Sequence, residues 1–197
     1  MTGQRSLTSR GRARQQALVA AAADLFLAKG FAAVTVDEIV AAAGGSKTNV
    51  YRQFGGKEGL FIEVVEVLSA EFLSPLVQLD LGRTGRAAGL EILGRTLLRQ
   101  LLEPRHIAFQ RMILASSDLF PGLMARWLET GPRQSQAIIS RFLGPGAESG
   151  RLALFFHDMI VTDPVLRAMM GETPPWDEIE AQIDAAAAMV ARLLPQD

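Results

Sequence analysis

With 197 residues, 49% of them hydrophobic, and a net charge of −1, the chain is globular and long enough to bury a sizeable core, as one domain or two small ones. No apolar run approaches the ~18 residues of a membrane span, and with no cysteine neither a disulfide framework nor a thiolate metal site is available. The amino-terminal MTGQRSLTSRGRARQ has no apolar stretch after its arginines, so we expect no signal peptide and a cytoplasmic location.

The small net charge hides an asymmetry. Residues 1–60 hold eight Lys/Arg against four Asp/Glu, and the remainder twelve against seventeen. Arg5, Arg10, Arg12 and Arg14 precede any acidic residue, a composition suited to a basic arm lying along phosphates, though solvated tails share it.

In chain order, Leu18, Ala21, Ala22, Leu25 and Phe26 form a helical stripe that ends at Lys29 and Gly30, a basic last turn followed by a C-terminal glycine. Val36, Ile39, Val40 and Ala43 then make one apolar face of a second helix, with Thr35 as N-cap and Glu38 completing a capping box. Gly44 ends that helix, Gly45 turns the chain, and Ser46 caps a third.

In the third helix Val50 and Phe54 share the inner face, which directs Thr48, Asn49, Arg52 and Gln53 outward. Arg suits guanine, Asn and Gln suit adenine, and Thr can bond a base edge or touch a thymine methyl. Lys47, Tyr51 and Lys57 suit phosphate oxygens. From about Arg12 to Phe54 the three helices read either as a DNA-binding unit or as a plain polar-faced helix pair in a small bundle, and spacing alone does not decide between them.

Beyond Gly55 and Gly56, a helix from Lys57 turns Leu60, Phe61, Val64, Val65, Leu68 and Phe72 inward, and Pro75 ends or bends it. Gly82 to Gly89 reads as a break, after which Leu90, Leu93, Leu97, Leu98, Leu101 and Leu102 resume a helical stripe up to Pro104. Helices follow at His106 to Ser117, Pro121 to Thr130 and Pro132 to Leu143. A loop at GPGAESGR comes next, then a helix started or kinked at Pro164, and a last one from Trp176 to Leu194. No strand signal occurs.

LFLAKGF at Leu25 to Phe31, TVDEIVAAAG, SKTNVYRQF and GGKEGLF at Gly55 to Phe61, in order and without gaps, resemble the TetR/AcrR family of regulators. The resemblance implies an all-α chain: an N-terminal three-helix helix-turn-helix DNA-binding domain with its basic arm over residues 1–56, and a larger helical ligand-binding and dimerisation domain over 57–197. Onto the family's DNA contacts fall Thr35, Ser46, Lys47, Thr48, Asn49, Tyr51, Arg52, Gln53 and Lys57. Gly45 departs from the pattern, where a small aliphatic residue usually packs the turn; its absence either loosens that contact or permits a tighter one. FQRMILASSDLFPGLMARWLETG and VLRAMMG resemble one branch of the family, against which Gly150 to Thr162 looks short, by deletion or by missing residues.

Phe72, Phe109, Met112, Phe120, Met124, Trp127, Phe142, Phe156 and Met159, with Phe155, supply aromatic and thioether surface at helical spacings. By composition they are core or an adaptable apolar pocket. The resemblance implies the pocket, with the first nine as candidate lining. In the last helix Ile179, Ile183, Ala186, Ala187, Val190 and Leu194 form a stripe that either packs within the chain or pairs two copies, and the resemblance favours a homodimer.

His106 and His157 are the only histidines, and neither has a partner at metal-ligand helical spacing; Asp158, adjacent to His157, is expected on another face. Each is a partly buried histidine or a lone polar group in an apolar cavity. Ser116 and Ser117 lack a nucleophile elbow, and the glycines at 82–89 and 144–150 lack a phosphate-loop ending. We therefore expect no catalysis, no cofactor and no bound metal. The expected protein is a regulator that binds a palindromic double-stranded operator as a homodimer, a repressor released by a small, largely apolar effector, with no membrane partner. The alternative is an all-α small-molecule-binding protein or enzyme whose helix-turn-helix is only structural.

Overall fold

A computed structural model describes residues 9–194 and contains, among them, ten helices and no strand. They are α1 (Ser9–Lys29), α2 (Val36–Ala43), α3 (Lys47–Phe54), α4 (Lys57–Val77), α5 (Arg86–Leu101), α6 (Pro104–Ser116), α7 (Leu123–Thr130), α8 (Pro132–Leu143), α9 (Ala147–Met169) and α10 (Trp176–Leu193). Among the described residues no helix is long and apolar enough to cross a membrane.

The start of α2 follows the expected chemistry. The Thr35 hydroxyl accepts from the Glu38 amide, while the Glu38 carboxylate accepts from the Thr35 amide at 2.8 Å. Ser46 caps α3, accepting from the Asn49 amide, and Gly55 closes α3 in the left-handed region at φ 77°.

Two apolar cores share α4. The first gathers Leu18, Phe26, Ile39, Val50, Leu60 and Phe61 from α1 to α4, and extends into Phe109, Ile113 and Leu123 of α6 and α7. Its centre is a cluster of rings in which Phe61 stacks on Phe120 at 5.1 Å and meets Phe26 edge-on at 5.2 Å. The second core joins the end of α4 with α5, α8, α9 and α10 around Leu93, Leu97, Phe156, Ile160 and Ile183.

Several boundaries differ from the sequence expectation. α5 begins at Arg86, so Gly89 is no part of a break: it lies buried inside the helix, where an added Cβ would stand 2.0 Å from the tip of the Phe142 ring. Pro104 is the first residue of α6, where a missing N–H costs nothing, and does not merely end α5. α9 runs unbroken through Pro164, and α4 continues past Pro75 to Val77. Each helix tolerates the lost backbone bond close to its carboxyl end. Gly150 to Thr162, which looked short, is continuous helix.

The stripe on α10 resolves toward packing within the chain: Ile179, Ile183, Ala186, Ala187 and Val190 are buried in the second core. α10 approaches α5 closely at Gly94, where an added Cβ would lie 2.9 Å from Ile183 Cγ2.

Candidate nucleic-acid interface and internal cavity

The face of α3 opposite Val50 carries Thr48, Tyr51 and Arg52, all exposed, with Asn49 half-buried between them. Asn49 Oδ1 accepts from Arg52 Nη2 at 2.7 Å. That bond braces the guanidinium with its remaining donors available for a base edge. Lys47 pairs with Asp37 of α2 at 2.8 Å, which raises the lysine pKa, chiefly through the hydrogen bond. Binding a phosphate there would exchange one anion for another. Ser46 and Thr35 stay exposed while capping their helices.

Behind Thr35, the Glu38 carboxyl is held down to about 2, first by the Lys29 ammonium that bonds it at 2.8 Å, then by the Thr35 amide and hydroxyl. The cap is therefore ionised throughout the ordinary pH range.

Two of the expected DNA contacts have other surroundings. Lys57 is engaged within the chain: its Nζ donates to the carbonyls of Phe31 at 2.9 Å and Val34 at 2.7 Å, and lies 4.1 Å from the centre of the Phe31 ring. In the chain reversal between α1 and α2 the Phe31 carbonyl accepts only a long bond from the Val34 amide, at 3.4 Å, and the ammonium adds a donor to it and to the Val34 carbonyl. Gln53 is half-buried, with Oε1 buried and without a partner, so its amide does not present both groups outward as adenine readout requires. At Gly45 an added Cβ would reach only Leu18 Cδ2, at 4.0 Å, so the glycine loosens the turn contact. Arg10, Arg12 and Arg14, expected in an arm, belong to α1; Arg5 lies outside the described residues.

Two cavities of the larger region lie between its helices. One, of about 570 Å³, lies between α4, α5 and α8 and is lined by Leu73, Leu76, Leu93 and Phe142, with exposed Val77 and Arg141 at its edge. The other, of about 470 Å³, lies among α4 to α9 and has Phe72, Phe109 and Trp127 in its walls beside Leu97, Leu101 and Val165. Buried polar groups converge on the second cavity only: Ser69, His106, Ser135 and His157 line it and are each at most 5% exposed. We take it as the candidate ligand site, because a few buried polar groups in an apolar pocket are what orient a bound molecule.

Of the nine expected lining residues, the structure brings Phe72, Phe109 and Trp127 to this cavity. Phe142 lines the other one. Met112 is buried in the first core and Met124 packs against it; Phe120 stands among the rings beneath the DNA-binding helices. Phe156 is fully buried in the second core, and Met159 packs on that core's edge beside α10. Periodicity puts all of these inward, and only the rotation of each helix about its neighbours decides which cavity or core receives them.

Of the polar set, sequence reasoning left the two histidines open between ordinary partly buried residues and lone polar groups in an apolar cavity, and it missed Ser69 and Ser135. His106 Nε2 lies 3.0 Å from the Gln110 amide nitrogen one turn on, while Nδ1 is buried without a partner. Burial pushes the His106 pKa down to about 4. The His157 Nδ1 lies 2.9 Å from Asp158 Oδ1, although adjacent helical residues were expected to face apart; burial lowers its pKa and the Asp158 contact opposes this. The available signal was that the only two histidines both interrupt apolar stripes. Among the described residues no group of three or more His, Asp or Glu could hold a metal ion.

On the outside, Phe155 of α9 and Met189 and Leu193 of α10 are exposed along an apolar groove, with Leu154 exposed nearby. The alanine stripe of α10, by contrast, is buried within the chain.

Comparison with known proteins places these features in context. Residues 18–64 match the model for bacterial regulatory proteins of the tetR family, and residues 88–193 match the C-terminal domain of AefR-like transcriptional repressors. A putative TetR-family regulator from Mesorhizobium loti is 24% identical with a TM-score of 0.80, covering 95% of this chain and 98% of its own. The flavonoid-responsive regulator FrrA is 26% identical with a TM-score of 0.77, over 91% and 95%. A TetR regulator from Agrobacterium tumefaciens is 23% identical with a TM-score of 0.71, over 91% and 93%. No curated protein matches the chain.

Proposed function

Because the chain belongs to the TetR family of bacterial transcriptional regulators, we propose that it represses transcription as a cytoplasmic homodimer and that a small, largely apolar ligand releases it from DNA. Residues 1–56 read the operator, and residues 57–197 bind the ligand and the second copy. It catalyses no reaction.

The observation that carries this reading is the Asn49 and Arg52 pair, braced at 2.7 Å on the open face of a capped α3. Thr48, Asn49 and Arg52 contact base edges, while Lys47, Tyr51, Ser46 and Thr35 contact the backbone. The free apolar face of α9 and α10 supports pairing, which makes the DNA target twofold-symmetric with half-sites about 34 Å apart or a multiple of that.

Release follows from α4. Ser69, Phe72 and Leu73 of α4 line the cavity, and Lys57 at its other end is bonded to the turn between α1 and α2. A ligand that fits only a shifted α4 would drag that turn with it and change the spacing of the two α3 helices, to the extent of its affinity difference between the states. That the structural neighbour FrrA is named flavonoid-responsive supports a small-molecule effector.

Selecting DNA from a random pool with the purified protein tests the reading. Enrichment of a twofold-symmetric site is expected, and failure to enrich one refutes it.

A further inference from the structure

Building on the reading of the protein as a ligand-responsive regulator, we infer that the cavity among α4 to α9 takes an uncharged aromatic compound bearing a hydroxyl group, whose O–H donates to Nε2 of His157. Charge narrows the class first. No Lys or Arg lines the cavity, so a carboxylate or phosphate buried there would have no counter-charge. Asp158 is the one acidic residue in the lining, and its carboxylate is already bonded to His157. An organic cation would have to compete with that bond.

Shape comes next. Phe72, Phe109 and Trp127 offer ring faces and edges, and about 470 Å³ accommodates a molecule of two or three fused or linked rings.

The hydroxyl follows from the state of His157, which is 5% exposed. With Asp158 Oδ1 at 2.9 Å, Nδ1 carries the proton and donates; the Gln136 amide at 3.5 Å from the same nitrogen is too distant to compete. Nε2 is then a bare acceptor, and it has no hydrogen-bond partner among the described residues. A wholly apolar ligand would seal that acceptor away from water with nothing to satisfy it, whereas a ligand O–H satisfies it directly. The same device rejects otherwise similar molecules that lack the donor.

The test uses 2-naphthol, 2-methoxynaphthalene and 2-naphthoate, titrated by their own fluorescence into the full chain and its variants near neutral pH. We expect 2-naphthol to bind roughly tenfold more tightly than its methyl ether, which keeps the rings and oxygen but loses the donor. In His157→Phe that preference should vanish while the ether binds as before. Asp158→Asn, at an exposed position, should shrink the preference, because an amide can bond either tautomer of the ring. Equal affinities in the unaltered protein, a preference that survives His157→Phe, tightest binding of 2-naphthoate, or binding of neither naphthalene would each overturn the inference. If His157→Phe does not fold by circular dichroism, the Asp158→Asn result decides. DNA selection reads out separately: a regulator that finds its operator but shows no naphthol preference refutes only the ligand class, and the converse refutes only the regulatory reading.

Discussion

Acidification should destabilise this protein through His106. The ring is 5% exposed, its Nδ1 has no partner, and burial brings its pKa down to about 4 from an ordinary 6.5. Because the folded pKa lies below the unfolded one, the unfolded chain binds the proton first as pH falls. Stability is whole above pH 6.5 and drains between 6.5 and 4. At pH 5 the unfolded ring is almost fully protonated and the folded one scarcely so, which corresponds to about 2 kcal/mol against a few tenths at pH 7.

The measurement is urea denaturation of the unaltered protein and of His106→Phe at pH 7, 6 and 5. The substitution keeps a flat ring against Phe72, whose centre lies 4.4 Å from the imidazole, and removes the titrating group. Its effect at pH 7 sets the baseline, and the informative quantity is the further loss on going to pH 5. We expect the unaltered protein to lose about 2 kcal/mol more than the variant over that interval. An equal loss in both would mean that His106 is hydrated or has an unseen partner, and would refute the reasoning.

The DNA-binding unit supplies the other expectations. Arg52→Ala should weaken operator binding by about 1–3 kcal/mol and relax preference at one base pair per half-site; binding assays on single-base operator variants would show an unchanged preference if Arg52 is not a reader. Lys57→Ala should instead lower the thermal midpoint, because the Val34 carbonyl loses the ammonium and the Phe31 carbonyl keeps only the long bond from the Val34 amide, and should leave the slope of operator affinity against salt unchanged. A flatter salt slope would restore Lys57 to the phosphate contacts. Gly45→Ala should stabilise the chain by about 0.5–1 kcal/mol, since the methyl meets only Leu18 Cδ2 at 4.0 Å and the unfolded state loses freedom; a lower melting temperature would show that the turn needs glycine.

Much of the fold was legible in the sequence because helix signals are local. The capping box at Thr35 and Glu38, the Ser46 cap and the glycine end at Gly44 depend on residues a few positions apart, and each formed as expected. The same locality explains the misreadings. Gly89 looked like part of a loop because its reason, the Phe142 ring of α8, lies far along the chain. Proline positions were weighed as breaks, whereas burial of Pro164 in a continuous α9 outweighed one missing backbone bond.

By itself, then, the sequence determined which segments are helical, where they are capped, and which faces are apolar, since these follow from spacing and side-chain chemistry along one element. Only the tertiary structure decided that Lys57 closes a turn, that Phe120 and Phe156 are core while Phe72, Phe109 and Trp127 are wall, and that two neutral histidines face one cavity. Those outcomes depend on the relative rotation and offset of packed helices, and the energy that sets them comes from contacts between residues distant in the chain.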